Sequence, residues 1–371
     1  MPLATAPKAE SRVEGVEVSA FRVPTDGPES DGTLEWDSTT IVTVLLATDG
    51  EFGVGYTYSD ASVADLIAST LAPIVEESDP RSPPAIWAEM HAALRNAGQA
   101  GPGAMALSAV DVALWDLKAR LLGIPLADAL PRFHERVPVY ASGGFTSYSN
   151  DRLAAQVSAW ASDGHRRVKI KVGRDPAADR ARLRIARDAV GPNGELMVDA
   201  NGAYERKEAL AWAELFGEAG VTWLEEPVSS DDAAGLRLIR DRAPAGLAIA
   251  AGEYIWGLPD AQRLLEAKAV DVLQADVTRC GGITGLLRID GLCRAFGVPF
   301  SAHCAPSISA HACCAMESML HAEFFHDHAR VERLLFDGTL DPVAGTLEPD
   351  RARPGLGIDL RDSAASEFAV R

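Results

Sequence analysis

After Val137, short apolar segments alternate with longer segments in which apolar residues recur every three or four positions. The short segments have the length of buried strands, and the longer ones have the period of amphipathic helices. The strand segments are VPVYASGGF (137–145), RVKIKVG (167–173), LMVDANG (196–202), TWLEEPV (222–228), LAIAAGE (247–253), VDVLQADVT (270–278), VPFSAHC (298–304) and HAEFF (321–325). The predicted helices are 149–163, 175–190, 205–219, 231–242, 258–268, 283–296 and 307–319. Eight such units with right-handed crossovers predict an α/β fold with a TIM barrel.

The N-terminal third of the chain has a different order of elements. Residues 14–24 and 39–60 have the pattern of strands, and Asp49 followed by Gly50 predicts a tight hairpin turn within the second segment. Helical periodicity follows at 62–77, 83–97 and 104–123. A run of strands followed by a run of helices predicts a small α+β domain.

Between the first two strand segments lie residues 24–38, PTDGPESDGTLEWDS, which are rich in Gly, Pro, Asp and Ser. This composition predicts a long surface loop and a candidate lid. We therefore predict an α+β domain with lid loops over residues 1–135, a TIM-type barrel over 136–330, and a C-terminal segment over 331–371 that returns to the first domain.

Carboxylates end three successive strands of the predicted barrel: Asp199, Glu225 and Glu253. The carboxyl ends of parallel strands meet at one mouth of a barrel, so these side chains should converge. Three carboxylates in contact raise one another's pKa unless a cation lies between them. Oxygen ligands alone favour Mg²⁺, with Mn²⁺ possible.

In RVKIKVG the side chains alternate, so Lys169 and Lys171 share the inward face. Two ammonium groups beside a metal disfavour each other's protonation, which would lower the pKa of one toward that of a usable base. The alternative is an internal network of ion pairs with the carboxylates. The same alternation places Asn201 on the face of Asp199, either as a ligand to a substrate oxygen or as a structural amide.

Asp276 and His303 end neighbouring strands and are therefore expected to hydrogen-bond. Such a carboxylate would orient the imidazole, fix its tautomer and raise its pKa, as an acid/base residue requires. Glu323 ends the eighth strand, where it can donate a hydrogen bond if burial keeps it protonated, or close the barrel with an ion pair. His321, His326 and His328 resemble a metal motif, but their spacing is poor for one helix face and favours structural roles.

Charge and cysteine content narrow the class of protein. A net charge of −18 argues against nucleic acid or an anionic membrane as a partner. The N-terminus contains no apolar segment of signal-peptide length, and the longest aliphatic runs, such as IVTVLLA (41–47), are too short to span a bilayer. The spacing of the cysteines does not match a zinc site, and the sequence shows no secretion signal. We therefore expect reduced thiols in a cytoplasmic protein.

Taken together, these motifs resemble the enolase superfamily, and within it the mandelate racemase subgroup of mandelate racemase/muconate lactonizing enzyme-like proteins. The resemblance covers nearly the whole chain, because that family joins an N-terminal α+β capping domain to a modified TIM barrel. The motifs that carry it are KIK (169–171), VDAN (198–201), WLEEP (223–227), AGE (251–253), QADVTRCGG (274–282), SAH (301–303) and HAEFF (321–325).

The resemblance implies a role for each of these polar residues. Asp199, Glu225 and Glu253 would bind Mg²⁺. Lys171 would be one base, and Lys169 would contact the substrate carboxylate.

His303 with Asp276 would be a second acid/base group, and Glu323 would hydrogen-bond the enediolate. Asp276 stands in the region where muconate-lactonizing and dipeptide-epimerase members carry a lysine, which disfavours those subgroups. A homo-oligomer that acts on a small carboxylate is expected.

The shared step of this family is removal of the proton α to a carboxylate. If a β-hydroxyl is present, its loss as water gives a 2-keto-3-deoxy acid; without one, reprotonation gives racemisation of a 2-hydroxy acid. The polar segment 24–38 favours an acid sugar dehydratase, whereas Trp36, Tyr56 and Tyr58 favour an apolar pocket. A non-catalytic Mg²⁺-binding barrel and a Schiff-base aldolase are the remaining alternatives.

Overall fold

The N-terminal strand segments form a three-stranded antiparallel sheet in the computed structural model, which describes residues 11–370 and, at 364–366, the backbone alone. The strands are β1 (Gly15–Ser30), β2 (Glu35–Thr48) and β3 (Glu51–Tyr58), paired in that order. Asp49 and Gly50 have φ values of 49° and 78°. Positive φ at both residues is what a two-residue type I′ turn requires. The predicted hairpin is therefore confirmed.

The predicted long loop over residues 24–38 is wrong. β1 continues to Ser30 and β2 already begins at Glu35. The barrel supplies partners for this segment, since the Thr146 N–H donates to the carbonyl of Ser30 at 2.8 Å and the two hydroxyls lie 2.6 Å apart. Contacts with a distant part of the chain thus stabilise a ribbon that local composition does not favour. Residues 24–38 are named the capping hairpin below.

The helices of the capping domain pack on this sheet. Gly55 of β3 allows a close approach, because a Cβ there would lie 2.1 Å from the carbonyl oxygen of Ala109. Gly123, with φ 67°, ends the longest helix as predicted. The helices are α1 (Ser62–Leu66), α2 (Ala72–Val75), α3 (Pro83–Ala93), α4 (Pro102–Leu122) and α5 (Leu126–Ala129), with a π-helical turn, Ile67–Leu71, between α1 and α2.

The barrel is built from the predicted parallel strands. Within residues 11–370 these are β4 (Val137–Gly143), β5 (Arg167–Lys171), β6 (Glu195–Asp199), β7 (Val221–Glu225), β8 (Ala248–Ala251), β9 (Val272–Asp276), β10 (Phe300–His303) and β11 (Met319–Phe325). Each strand pairs with the next, and β11 pairs with β4, so the sheet closes. This confirms an α/β fold with a modified TIM barrel and an N-terminal capping domain.

The barrel helices follow the prediction except near the C-terminus. They are α6 (Asn150–Ser162), α7 (Pro176–Val190), α8 (Arg206–Glu218), α9 (Ala233–Arg242), α10 (Leu258–Glu266), α11 (Gly282–Phe296), α12 (Pro306–Ala312) and α13 (His326–Leu335). The predicted helix 307–319 ends early, because Cys313–Ala315 tighten into a 3₁₀ turn and β11 begins at Met319. Helix α13 was not predicted; it is held by the buried side chains of Val331 and Leu335.

The C-terminal segment contacts both domains. It contains β12 (Phe336–Asp337), β13 (Thr346–Leu347), β14 (Asp359–Leu360) and α14 (Asp362–Phe368). β13 pairs with β4 of the barrel, while the Leu126 N–H of the capping domain donates to the carbonyl of Gly355 at 2.7 Å. The three domain boundaries themselves stay a prediction, and residues 1–10 and Arg371 lie outside the described part. No helix among the described residues is both long and apolar enough to cross a membrane.

Candidate active site

Three carboxylates meet at the mouth of the barrel and are named the carboxylate triad. Asp199 and Glu225 are the last residues of β6 and β7, and Glu253 follows β8. All three are buried, and each offers an oxygen within 4.8 Å of the others. Burial and the neighbouring Asp199 raise the pKa of Glu225 to about 8, which is the repulsion predicted from the sequence. This all-oxygen donor set fits a hard divalent cation such as Mg²⁺ or Mn²⁺.

The two lysines of β5 point into the barrel, as strand alternation predicted, while Val168 and Ile170 join the hydrophobic core outside it. Lys169 Nζ lies 2.6 Å from Glu225 Oε1. Lys171 Nζ lies 2.5 Å from Asp199 Oδ2. The network of ion pairs that the sequence left open as an alternative is therefore present.

The carboxylates around the two lysines oppose the predicted lowering of a lysine pKa, which was made for a site that holds a metal ion. Burial opposes the charge on Lys171, but the attraction of the Asp199 carboxylate outweighs it, and the pKa of Lys171 is raised. Repulsion between the two ammonium groups is the smaller effect. A cation held by the carboxylate triad would withdraw part of that attraction, because bound ions are often the largest local charges in a site.

His303 and Asp276 form the predicted pair. His303 Nδ1 lies 2.8 Å from Asp276 Oδ2, while the other carboxylate oxygen accepts from the N–H and the hydroxyl of Thr278, both at 2.7 Å. On the opposite side of the ring, Nε2 lies 3.0 Å from Glu253 Oε2. Burial opposes a charge on His303, but the surrounding negative groups, Glu253 among them, raise its pKa well above the usual value. The imidazole is thus oriented and favoured in its protonated form.

Glu323 forms an ion pair here, which is the alternative that the sequence left open beside a protonated donor. Burial alone would raise the pKa of Glu323, but Lys169 and His303 hold it well below the usual range. Lys169 Nζ lies 2.9 Å from Oε1. Oε2 accepts from both the backbone N–H and the thiol of Cys304, each at 3.2 Å.

Left-handed backbone conformations occur immediately after several strands at this mouth. Asn201, Glu226 and Cys304 have φ values of 47°, 38° and 52°. Such conformations are uncommon for residues other than glycine and cluster at functional sites. The Asn201 N–H donates to Asp199 Oδ1 at 2.9 Å, while its own side-chain oxygen is buried without a hydrogen-bond partner. Asn201 therefore both fixes a triad member and offers an acceptor toward the site.

A cavity of about 570 Å³ lies between the barrel mouth and the capping domain. Lys171, Asn201 and His303 line its floor, and Trp36 of the capping hairpin with Tyr58 of β3 lines its other side. The predicted acid/base groups thus face a space large enough for a small organic acid.

The three other histidines of interest do not converge. His321 Nδ1 pairs with the Ser301 hydroxyl at 2.9 Å, and the His328 ring stacks on Tyr58 with centroids 3.4 Å apart. His326 instead faces Asp26 of the capping hairpin, with Nε2 3.1 Å from Oδ2. They therefore do not form one metal site together, as their poor spacing predicted.

Two buried residues of the site had not been singled out. Cys304 directly follows the SAH motif, but a thiol contact to Glu323 has no sequence signature. Glu226 follows Glu225 and is also buried, with one carboxylate oxygen lacking a hydrogen-bond partner. Burial and the nearby Glu253 raise its pKa well above the usual range.

Two characterised enzymes are similar to this chain over nearly its whole length. The chain is 30% identical over 365 residues to D-galactarolactone cycloisomerase of Agrobacterium fabrum, covering 93% of this chain and 95% of that protein. It is 31% identical over 372 residues to L-talarate/galactarate dehydratase of Salmonella typhimurium, covering 97% and 92%.

Solved structures share the whole fold. A mandelate racemase/muconate lactonizing enzyme-like protein from Rubrobacter xylanophilus is 65% identical with a TM-score of 0.95, covering 97% of this chain and 100% of that one. A racemase from Streptomyces coelicolor with bound magnesium is 28% identical with a TM-score of 0.90, covering 96% and 100%. The Salmonella typhimurium dehydratase, liganded with Mg and L-lyxarohydroxamate, is 28% identical with a TM-score of 0.89, covering 99% and 95%.

Two family models match consecutive parts of the chain. The "Mandelate racemase / muconate lactonizing enzyme, N-terminal domain" model matches residues 17–130. The "Enolase C-terminal domain-like" model matches residues 152–364. The chain is therefore a member of the enolase superfamily, in its mandelate racemase and muconate lactonizing enzyme group.

Proposed function

We propose that this chain is a Mg²⁺-dependent lyase that removes the proton α to the carboxylate of an acid sugar and eliminates water. The observation that carries the proposal is that two acid/base groups contact opposite ends of the carboxylate triad. Lys171 Nζ lies 2.5 Å from Asp199, and His303 Nε2 lies 3.0 Å from Glu253. A substrate held at the triad would have an amine on one side and an imidazole on the other.

Each residue has a distinct part in this reaction. Lys171, in its neutral form, takes the α proton, and the electrons of the broken C–H bond move toward the carboxylate, which Lys169 contacts. Protonated His303 then gives its proton to the β-hydroxyl, so that the C–O bond breaks and water leaves. The enol that remains tautomerises to a 2-keto-3-deoxy acid. Asp276 keeps His303 oriented throughout.

The carboxylate triad, Glu323 and Asn201 hold the metal and the substrate in this proposal. Mg²⁺, held by the carboxylate triad, would stabilise the negative charge that develops on the substrate carboxylate. Glu323 and Asn201 line the same cavity, where their side-chain oxygens would accept hydrogen bonds from substrate hydroxyls.

Racemisation of a 2-hydroxy acid is the second candidate. Without a β-hydroxyl, one of the two groups can remove the α proton and the other can return a proton to the opposite face. Trp36 and Phe325 line the cavity and favour this alternative, because an aromatic substituent would pack on them.

The side of the cavity formed by the capping domain suits a neutral polyol better than a second carboxylate. Acidic and hydroxyl side chains line it: Asp31, Glu35, Ser38, Thr39, Thr40 and Asp60. Arg279 also lines the cavity, but its Nε lies 3.7 Å from Asp276 Oδ2 and its Nη1 donates to the carbonyl of Glu253 at 3.3 Å. A second carboxylate would meet negative charge there. Aldonic acids, with one carboxylate, are therefore the preferred class over aldaric acids.

The proposal is tested with the purified protein, Mg²⁺ and a panel of aldonic acids, aldaric acids, their lactones and 2-hydroxy acids. Formation of a 2-keto acid is followed as its semicarbazone. We expect turnover of at least one acid sugar, lost on addition of EDTA. The activity should also be lost in Lys171→Ala and in His303→Asn, and kept in the surface control Lys207→Ala.

Other outcomes would favour one of the alternative functions. Exchange of the α proton of a 2-hydroxy acid in D₂O, with no dehydration of any acid sugar, would establish the racemase. Loss of activity after borohydride reduction in the presence of substrate would indicate a Schiff-base aldolase. Failure of every carboxylate to exchange or react would favour a non-catalytic binding protein.

We also propose a cytosolic homo-oligomer. The five cysteines are free and buried, as expected where disulfides do not form. The oligomeric state follows only from the family resemblance, and light scattering of the purified protein measures it.

A further inference from the structure

A cluster of potential metal ligands outside the active site lies where the capping hairpin meets the barrel. Asp26 and Glu29 belong to β1, and His326 is the first residue of α13. Each offers a ligand atom within 4.8 Å of the other two. His326 Nε2 is 3.1 Å from Asp26 Oδ2. None of these residues belongs to the carboxylate triad or lines the cavity above it.

Glu29 supplies an independent indication of a ligand. Its side chain is 0% exposed, and Oε2 accepts a hydrogen bond from Trp36 Nε1 at 2.9 Å. The other oxygen, Oε1, is buried without a hydrogen-bond partner. Most buried polar atoms in native proteins have a partner, so an unpartnered carboxylate oxygen on a residue of this cluster requires an explanation.

The local backbone places these side chains together. The pairing of β1 with β2 is irregular between Pro24 and Glu29, where the register shifts. Irregularities of this kind redirect side chains away from the regular alternation of a strand. Asp26 and Glu29 both fall within this stretch and both reach toward α13.

We propose that Asp26, Glu29 and His326 form a binding site for a first-row divalent metal such as Zn²⁺, separate from the Mg²⁺ site in the barrel. One imidazole nitrogen with two carboxylate oxygens is a donor set that suits Zn²⁺ and its first-row neighbours. Mg²⁺ prefers oxygen ligands alone, so the two sites differ in selectivity. Asp26 and His326 are partly exposed, which leaves room for water as a further ligand.

The neighbouring arginines leave Asp26 Oδ2, the oxygen beside His326, available to a metal. Arg152 Nη2 lies 2.7 Å from Asp26 Oδ1, the oxygen that faces away from His326 Nε2. Arg330 Nη2 is engaged by Asp327 Oδ1 at 2.9 Å and by the Pro24 carbonyl at 2.6 Å. A charged or hydrogen-bonded group on the second oxygen of a ligating carboxylate is common around bound metals.

Occupation of the site would tie the capping hairpin to the barrel. The hairpin contributes Asp26 and Glu29, and the barrel contributes His326. Glu29 also holds the indole of Trp36, which lines the substrate cavity. A metal here would therefore fix one side of that cavity without entering it.

The test is a calorimetric titration of Zn²⁺ into the full chain kept in excess Mg²⁺, which occupies the barrel site. We expect Zn²⁺ to bind at this site in the wild type, and its affinity there to be at least about tenfold weaker in His326→Ala and in Glu29→Gln. Glu29→Gln is close to isosteric with the native residue and weakens the ligand with little change in packing. His134→Ala removes a partly buried imidazole outside this cluster, whose Nε2 lies 2.9 Å from the Met316 carbonyl, and serves as the matched control that should bind like the wild type.

Thermal melting gives a second measurement that does not depend on activity. Zn²⁺ should raise the melting temperature of the wild type and of His134→Ala, and should not raise it in the two ligand variants. The proposal is overturned if the wild type binds no Zn²⁺ in excess Mg²⁺, or if both ligand variants bind it as tightly as the wild type. Melting in Mg²⁺ alone verifies that each variant is folded.

Discussion

The barrel rim and the capping hairpin face the same cavity but are held in different ways. On the rim, Lys171 pairs with Asp199 and Asp199 pairs with Glu225 in the register of one parallel sheet, and the two carboxylates are 0% exposed. On the hairpin, Leu34 is 63% exposed, and Glu35 is bound at the surface by Arg174 at 2.8 Å.

We therefore expect rim residues to carry out the reaction and hairpin residues to select the substrate. The register of a sheet fixes rim side chains relative to one another, as an acid/base constellation requires. The position of the hairpin depends on contacts between two domains, which change more easily. Substitutions on the rim should therefore lower kcat, whereas substitutions on the hairpin should change KM and the choice of substrate.

The largest expected effect is on the rim, in Asp276→Asn. We expect kcat to fall by about 10²–10⁴-fold, because the imidazole of His303 loses the carboxylate that orients it and stabilises its protonated form. Asp276 raises the pKa of His303, so its removal lowers that pKa. Dehydration needs protonated His303 and is lost as pH rises through this pKa, so the loss should begin at lower pH in the variant. The pH dependence of kcat measures both effects.

Asp290→Asn is the control for this prediction. Asp290 is a buried aspartate away from the cavity, which accepts from the Ser318 N–H at 2.9 Å. The Asp290→Asn substitution should alter the free energy of unfolding and leave the pH dependence of kcat unchanged. An Asp276→Asn enzyme with the wild-type pH profile would contradict the role of Asp276.

On the hairpin, Gly32→Ala should act on KM. A Cβ at Gly32 would lie 2.3 Å from the carbonyl oxygen of Ala200 and 2.8 Å from that of Val172, so the hairpin tip must move away from the rim. Overpacking of this kind costs about 1–3 kcal/mol, and we expect KM to rise about tenfold with a smaller change in kcat. Gly15→Ala, at the start of β1, meets nothing within 4 Å and is the matched control. Equal kinetics of the two variants would show that the tip position is unimportant.

The sequence predicted the rim well for a physical reason. Each polar residue at the barrel mouth ends one apolar run, so Asp199, Glu225 and His303 could be placed from the periodicity of the chain alone. Parallel strands that close into a barrel bring such positions together without any further information.

The hairpin could not be predicted because its partners are remote in sequence. Ser30 is held by Thr146, and no local pattern encodes that contact. The direction of the Lys171 pKa could not be read from the sequence for a related reason, because it depends on how close the Asp199 carboxylate lies compared with the second ammonium group. The composition of residues 24–38 predicted a loop, but hydrogen bonds to the barrel stabilise them as a two-stranded hairpin.

A smaller effect on the rim is expected for Cys304→Ala. The thiol and the backbone N–H of Cys304 both donate to Glu323 Oε2, and the substitution removes one of them. The loss of one hydrogen bond predicts a fall in kcat of about two- to tenfold with KM nearly unchanged. Cys304→Ser restores a donor and should recover most of the rate. A rise in KM instead would place Cys304 with the selecting residues.

The smallest effect is expected at the surface of the hairpin, in Glu35→Gln. Removal of this negative charge from the cavity wall should raise kcat/KM for an aldaric acid by about two- to threefold and leave an aldonic acid unchanged, because exposed charges interact weakly. The gain should shrink as salt is added, since the charge is screened by water and ions. Glu51→Gln, an exposed substitution at the far end of the sheet, controls for net charge. If both substrates respond equally, or if Glu51→Gln has the same effect, the hairpin does not select between one and two carboxylates by charge.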